Sequence, residues 1–596
     1  MVSEYGALYN RLERRGQWVL PSPRIFNPML NALSRKARQV IKDPVLRQWL
    51  IGRALGRYQG EPVFTPHRPP YLEGLLPLKQ QLPNPPTSFS ELGIDKPRSA
   101  ITLPLPGLDV TLNPGDEDRL FEQSFQDTET LLAVHRFAWI PLLGRDLDPA
   151  WVNSLWQAWQ TTYRQPNDAW PWHPYTAAER AINILDFAGR HGLPGSANDT
   201  LKLLAAHGPA IAEQLEYFGD HHTSNHMANN GRGLFKLGLA LGIDSYADMG
   251  AKILLNEAER IFLPSGILRE GSSHYHLLLT RNYADAWLVA ERFNRAEALA
   301  LKTITKKAMS VIPNLFLSGG MPLVGDISPD CPPGFLSCLF NDNDGWFDLL
   351  DEDDAALIKS LRGSAEEGTI REDGWLKAEF GPWSGLWHAS PEGWSHMPGH
   401  GHQDCGSFEL HFGEEPIFVD PGRGAYGLTG EAQYFQSAAA HNGIVIDGCE
   451  PFPANKPYYC GLFRGKYAKN APKLEKAENN VALTYGGYSR LRSVDSVTRQ
   501  WAFSESAVEI EDQISGSNSH DIVQRLYTPL AISLNDDSVT LTGKESAFRL
   551  TSQTGSIKAM PTKIWKAYGQ SLPGTVIQIT SRSNLPWTSA LKLEVA

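Results

Sequence analysis

The chain has 596 residues, 20% of them charged and 42% hydrophobic, with a net charge of −11 at pH 7. That length exceeds one compact core, so several domains are expected, and the acidic balance argues against nucleic acid as a partner, because phosphate backbones are bound by basic surfaces. Five cysteines without a CxxC pair make no disulfide framework. No stretch approaches the roughly 18 uninterrupted apolar residues of a transmembrane helix. The first residues lack the apolar core of a secretory signal. The expected location is the cytoplasm, or the periplasm if a leader has been removed.

In chain order, residues 1–104 read as an N-terminal appendage and linker. A basic amphipathic segment runs from Asn31 to Arg57, followed by the proline-dense PVFTPHRPPYLEGLLPLKQQLPNPPTS, which excludes long helices. Residues 105–370 are predicted helical. Apolar side chains recur there at i, i+3, i+4 and i+7, as with Leu203, Leu204, Ile211 and Leu215. Short Gly, Pro and Asn turns between these segments fit antiparallel helix pairs that close into an α/α toroid. From 371 to 596 the period becomes two, with Phe408, Leu410 and Phe412 alternating in SFELHF, then Ile444 and Ile446 in GIVIDG. VALTY, SVTRQWAF and AVEIEDQI continue the alternation, so an antiparallel β-sandwich is expected up to the C-terminus. The predicted class is a multidomain α+β protein, an incomplete helical barrel followed by a sandwich.

Of the 17 histidines, nine cluster in three stretches. HHTSNHMANNGRGLFKLGLALG, 221–242, carries a polar His- and Asn-rich run straight into an apolar helix. Read blandly, Asn225 or Asn229 caps that helix and the histidines are merely exposed. SGILREGSSHYHLLLTRNYADAW places Glu270, His274, Tyr275 and His276 ahead of another helix. Capping by Ser272 or Ser273 explains the serines but not the crowding of imidazole and phenol. The third stretch, SHMPGHGHQDCGSFELHFGEEPIFVDPGRGAYG, holds His396, His400, His402 and Asp404 before one strand and Asp420 after the next, with His441 following in AHNGIVIDG. Imidazole and carboxylate groups at adjacent strand ends can meet as a zinc site, so His402, Asp420 and His441 form a candidate ligand set. The alternative is turn chemistry, with Asp420 bonding its own backbone.

The order NHMANNGRGL, REGSSHYH, GHGHQD with SFEL, VDPG and AHNGIVIDG resembles the heparinase II/III-like polysaccharide lyases, and WHPYTAAERAINIL, 172–185, is similar to their upstream helix. The resemblance spans roughly 105–530 and implies an α/α toroid, a sandwich and a cleft between them. Carried over position by position, it implies that Asn225 and His226 neutralise a uronate carboxylate and that Tyr275 is the catalytic tyrosine. His400 would assist proton transfer, and His402, Asp420 and His441 would hold one structural divalent metal, most plausibly zinc, with no organic cofactor. Arg232, Glu270 and His276 are cleft candidates for substrate binding. Arg423 stands where such proteins commonly have an uncharged residue, either touching an acidic glycan or pairing with a nearby carboxylate.

Elimination from a uronate removes a proton α to a carboxylate, a very weak acid until its charge is neutralised, so amide and imidazole donors suit the task. The base must be strong. A tyrosinate serves if nearby positive charge lowers its pKa from about 10. If proton and leaving oxygen lie on one face of the sugar, Tyr275 alone can move both protons. If they lie on opposite faces, His400 or His226 is the base and Tyr275 the acid. The expected partner is thus an acidic polysaccharide or oligosaccharide. Two other readings stay open: a glycoside hydrolase using carboxylates such as Glu270 and Asp404, and a non-catalytic glycan-binding or assembly protein of a bacterial surface-polysaccharide pathway. The 17 Trp suit sugar stacking in every case.

Overall fold

The structure, a computed structural model, describes residues 40, 44–58, 66–93, 95–219, 225–390, 399–427, 429–454, 456, 459–466, 471–491, 493–535 and 538–596. His221, His222, His396 and residues 31–39 and 41–43 of the basic N-terminal segment lie outside them. The helical part begins after a hairpin, Ile101–Leu105 paired with Leu108–Leu112, whose inward Leu103, Val110 and Leu112 join the core of the first helices. Long helices then follow one another: Pro149–Tyr163, Pro174–His191, Ala197–Glu213, Asn225–Leu241, Asp244–Ile261, Ser273–Arg292 and Ala298–Val311. They make an α/α toroid. Their apolar stripes face one another, and local signals set their starts: Asp148 accepts from Ala150 N at 2.9 Å, and Ser272 from Tyr275 N at 3.1 Å.

Two glycines decide how closely the Asn225 helix meets its neighbour. A Cβ at Gly238 would lie 2.1 Å from Ala247 N, and one at Gly250 2.3 Å from Phe235 N. Only hydrogen at these positions lets the helices touch backbone to backbone, which fixes the helix Asn225–Leu241 against Asp244–Ile261.

The proline-dense stretch is laid against the helical part rather than left as a free linker. His67 N donates to Tyr217 O and Asn84 N to Leu241 O, and Tyr71 Oη donates to Glu257. The helix Pro44–Ala54 instead packs on the C-terminal part, with Trp49 against Tyr459 and Phe463.

Past Glu372 the chain is antiparallel sheet. One four-stranded sheet runs Trp375–Phe380, Trp383–His388, Phe408–Phe412, Glu415–Phe418 in that order, and a second runs Ser556–Ala567, Gln570–Asn584, Ser519–Thr528, Ile444–Ile446. Both cover an eight-stranded sheet whose central strands include Val494–Phe503, Ala507–Gly516 and Trp587–Val595. Trp383, Trp387 and Leu410 from the first sheet, Leu526 and Ile577 from the second, and Val497, Ile510 and Leu591 from the third share one core. This is the expected sandwich. The strand Phe408–Phe412 departs from simple alternation, because four of its five residues are buried. Phe408 and Leu410 enter the core, whereas Glu409 accepts from Asp420 N at 2.9 Å and His411 Nδ1 from Gly319 N at 3.1 Å. The helical part covers the face that would otherwise meet water.

The tryptophans mostly build this core. Eleven of the 17 are fully buried, so their number reflects packing rather than sugar stacking. Trp170 is the half-buried exception among the described residues, beside His173 at 5.5 Å between ring centres.

Candidate active site

Three segments far apart in the chain meet where the toroid faces the sandwich. Asn225 is the first residue of its helix. Its backbone N–H donates to Glu270 Oε1 at 3.1 Å and its side-chain amide to Glu270 Oε2 at 2.9 Å, so a buried carboxylate sits on the helix start where the dipole favours it. The same amide nitrogen lies 3.1 Å from His400 Nε2. With acceptors on both sides, the amide nitrogen faces them and Nε2 of His400 carries the lone pair. Tyr275, in the first turn of the helix capped by Ser272, stacks on His400 with ring centres 3.5 Å apart and planes at 9°. Its hydroxyl is 2.7 Å from that of Tyr426, which donates on to Ile327 O at 3.2 Å.

Asp326, on the segment between the helices and the sheets, organises the sandwich side. Its Oδ2 receives His400 Nδ1 at 3.0 Å, and its Oδ1 receives His402 Nε2 at 2.8 Å and an Arg423 guanidinium nitrogen at 2.8 Å. Burial opposes the charge on Asp326, yet Arg423, His400 and His402 hold its carboxyl well below the usual range. Asp326 thereby fixes the Nδ1–H form of His400, with Nε2 turned to the Asn225 amide and 3.5 Å from Glu270 Oε2.

On the helical side, Glu216 bridges two imidazoles: Oε2 is 2.6 Å from His226 Nδ1 and Oε1 3.3 Å from His173 Nε2. Burial opposes a charge on His226, but Glu216 outweighs it and raises the pKa above the ordinary value, which favours the cation. Its ring lies 4.6 Å from that of Tyr175, whose hydroxyl donates to Asp330 at 2.5 Å. Tyr275 has the opposite environment from the one its sequence context invites. Burial first, and then Asp330, push its pKa well above the ordinary value. In the resting site it is a neutral phenol.

The remaining candidates divide. Glu270 sits in the site, but as the carboxylate that holds Asn225. Arg232 does not face the cleft: it is 1% exposed and bound to Asp285 at 2.6 Å and Glu179 at 3.1 Å. His276 is a core residue, with Nδ1 accepting from Leu268 N at 3.2 Å and Nε2 donating to Ala308 O at 3.0 Å. Burial lowers its pKa to about 4. Arg423 takes the second of its two expected roles, since it pairs with Asp326 and also donates to Ala432 O and Gly427 O. Asp326, Tyr426, Glu216 and His173 were not singled out from the sequence. A lone Asp in PLVGDISP carries no pattern, and only HPY, beside the similar helix, could have pointed to His173.

The proposed metal ligands do not close into one shell. Asp420 Oδ2 is 2.7 Å from His441 Nδ1, and its Oδ1 accepts from Gly422 N, so it orients His441, partly as the turn reading has it. Among the described residues no three His, Cys, Asp or Glu side chains are grouped to hold an ion. Two donors nevertheless fit one. His402 Nδ1 and His441 Nε2 are buried without a partner, their rings are 5.3 Å apart, and each ring is held through its other nitrogen by a carboxylate, the arrangement of metal-ligating histidines.

Comparison with known proteins agrees with this architecture. Residues 370–588 match the family model described as Heparinase II/III-like, C-terminal. A heparinase III crystal structure aligns over 80% of this chain and 79% of its own at 15% identity, with a TM-score of 0.60. A second heparinase III gene product aligns over 80% of both chains at 15% identity and 0.55. A mutant of the heparan sulfate lyase HepC from Pedobacter heparinus aligns over 82% of this chain and 80% of its own, at 15% identity and 0.52. No curated protein matches the sequence. The chain has the fold of heparinase III, and its residues 370–588 match the heparinase II/III-like C-terminal family.

Proposed function

We propose that the protein is a polysaccharide lyase that cleaves a uronic-acid-containing glycan by β-elimination. The observation that carries this reading is the meeting of Asn225, Tyr275 and His400 from three separate segments, with the amide 3.1 Å from the imidazole and the phenol stacked on it at 3.5 Å. The reacting atoms of a 4-linked uronate, the C5 hydrogen and the O4 oxygen, are on adjacent carbons, and an imidazole and a phenol side by side suit that spacing. Cationic His226 and the Asn225 amide neutralise the substrate carboxylate and stabilise the charge that builds as C5 loses its proton. As the amide turns to the carboxylate, His400 Nε2 is released to take that proton. The C5 electron pair forms the C4=C5 bond, the C4–O4 bond breaks, and Tyr275, protonated at rest, donates to O4. His400 then returns its proton to Tyr275. One fold neighbour is by name a heparan sulfate lyase, which agrees with an acidic substrate.

A hydrolase built on Glu270 and Asp404 is disfavoured, because Glu270 is occupied by Asn225 and Asp404 by His388 Nδ1 at 2.7 Å. We also propose a structural divalent ion, zinc by donor type, between His402 Nδ1 and His441 Nε2. It would tie two loops of the sandwich together, and metal analysis of the purified protein with and without His441→Ala tests it. The catalytic reading is tested by near-ultraviolet absorbance during incubation with a panel of uronate glycans. Absorbance from the unsaturated product should rise with the natural protein and fall by about three orders of magnitude in Tyr275→Phe. New saturated reducing ends without absorbance would indicate the hydrolase, and binding without cleavage the assembly protein.

A further inference from the structure

The basic N-terminal segment plays no part in the chemistry above. Residues 1–57 carry 11 Lys and Arg against 3 Asp and Glu, in a chain whose net charge is −11. Such an asymmetry points to an anionic surface as partner. The described piece of it, the helix Pro44–Ala54, is seated firmly. Val45, Leu46, Trp49 and Gly52 face inward, Trp49 stacks on Tyr58 at 5.2 Å, and a Cβ at Gly52 would lie 2.1 Å from the Tyr58 ring. The other face is turned to water, yet it is apolar: Leu50 is 42% exposed, Ile51 58% and Leu55 60%. The neighbouring helix Gly461–Arg464, whose Phe463 packs on both Trp49 and Tyr58, adds Leu462 at 76%. Cations border these leucines. Arg57 is exposed and Arg53 half-buried, and Lys466 lies 5.3 Å over the Tyr58 ring.

We infer that this face docks on an anionic phospholipid bilayer. Exposed aliphatic side chains bordered by Arg and Lys are what an in-plane membrane contact requires, with the apolar groups entering the headgroup boundary and the cations meeting lipid phosphates. An acidic glycan would use the cations but gain nothing from four exposed aliphatic side chains. No helix of the described residues is long and apolar enough to cross a membrane, which leaves the contact peripheral. Because the helix is anchored to the sandwich through Trp49, the whole enzyme would be held at the surface rather than tethered by a loose tail.

Flotation of the full chain with vesicles tests this. Binding is expected to phosphatidylcholine vesicles containing about a third phosphatidylglycerol and not to phosphatidylcholine alone, weakening as salt is raised to about 0.5 M. Leu50→Glu/Ile51→Glu/Leu55→Glu should lower the partition about tenfold or more, and Leu462→Glu, on the separate helix, should lower it by a smaller factor. Both variants should keep the circular dichroism of the natural protein and its soluble-substrate activity. No binding to the anionic vesicles, or equal binding by natural protein and variants, overturns the proposal. So does retention on an immobilised acidic glycan under conditions where the vesicles are not bound.

Discussion

His226 and His402 make the same bond in different surroundings. Each gives one ring nitrogen to a carboxylate, at 2.6 Å to Glu216 and 2.8 Å to Asp326. The His226 side chain is 17% exposed and that of His402 0%. On the helical wall, in the function proposed above, the pairing favours a cation whose edge can meet a substrate carboxylate. On the sandwich wall, it fixes a ring among buried partners, and the same carboxylate also binds Arg423 and His400. Histidine paired with an acid is therefore no sign of catalysis by itself.

Three substitutions would break or sharpen this contrast. Asp326→Asn leaves Arg423 buried without its countercharge and should cost about 3–5 kcal/mol in urea denaturation. A variant that kept its stability would mean that Asp326 does not hold this wall together and acts only by orienting His400. His226→Gln should raise KM about tenfold, roughly 1.4 kcal/mol. In the natural protein KM should climb as pH rises through the elevated pKa of His226, above the ordinary 6.5, and His226→Gln should show no such climb. Glu216→Gln gives the smallest effect. Without the carboxylate, burial alone sets His226 below 6.5, so the climb in KM moves to lower pH. Because the folded pKa of His226 is raised, its pair with Glu216 stabilises fully below 6.5 and loses that contribution as pH rises through the folded value. The stability difference between Glu216→Gln and the natural protein should accordingly be larger in mild acid than in base.

The periodicities decided much on their own. Apolar spacing of three and four specifies helices, and alternation specifies strands whichever partners they find, so the toroid, the sandwich and the change of texture near 370 were legible. The motif order brought out Asn225, Tyr275 and His400, because a short run of Asn, His and Tyr is conspicuous wherever it falls. Tertiary structure decided what sequence spacing does not encode. Arg232 and His276 stand in the same conspicuous runs, yet helix phase turns them into the core, where Asp285, Glu179 and backbone groups consume their donors. Asp326 and Glu216 lie in unremarkable runs, and they and Tyr426, at the end of a conspicuous one, gain their roles only from neighbours 10 to 151 residues away. The protonation of Tyr275 was likewise beyond the sequence, since a pKa is set by burial and by charges brought near through folding.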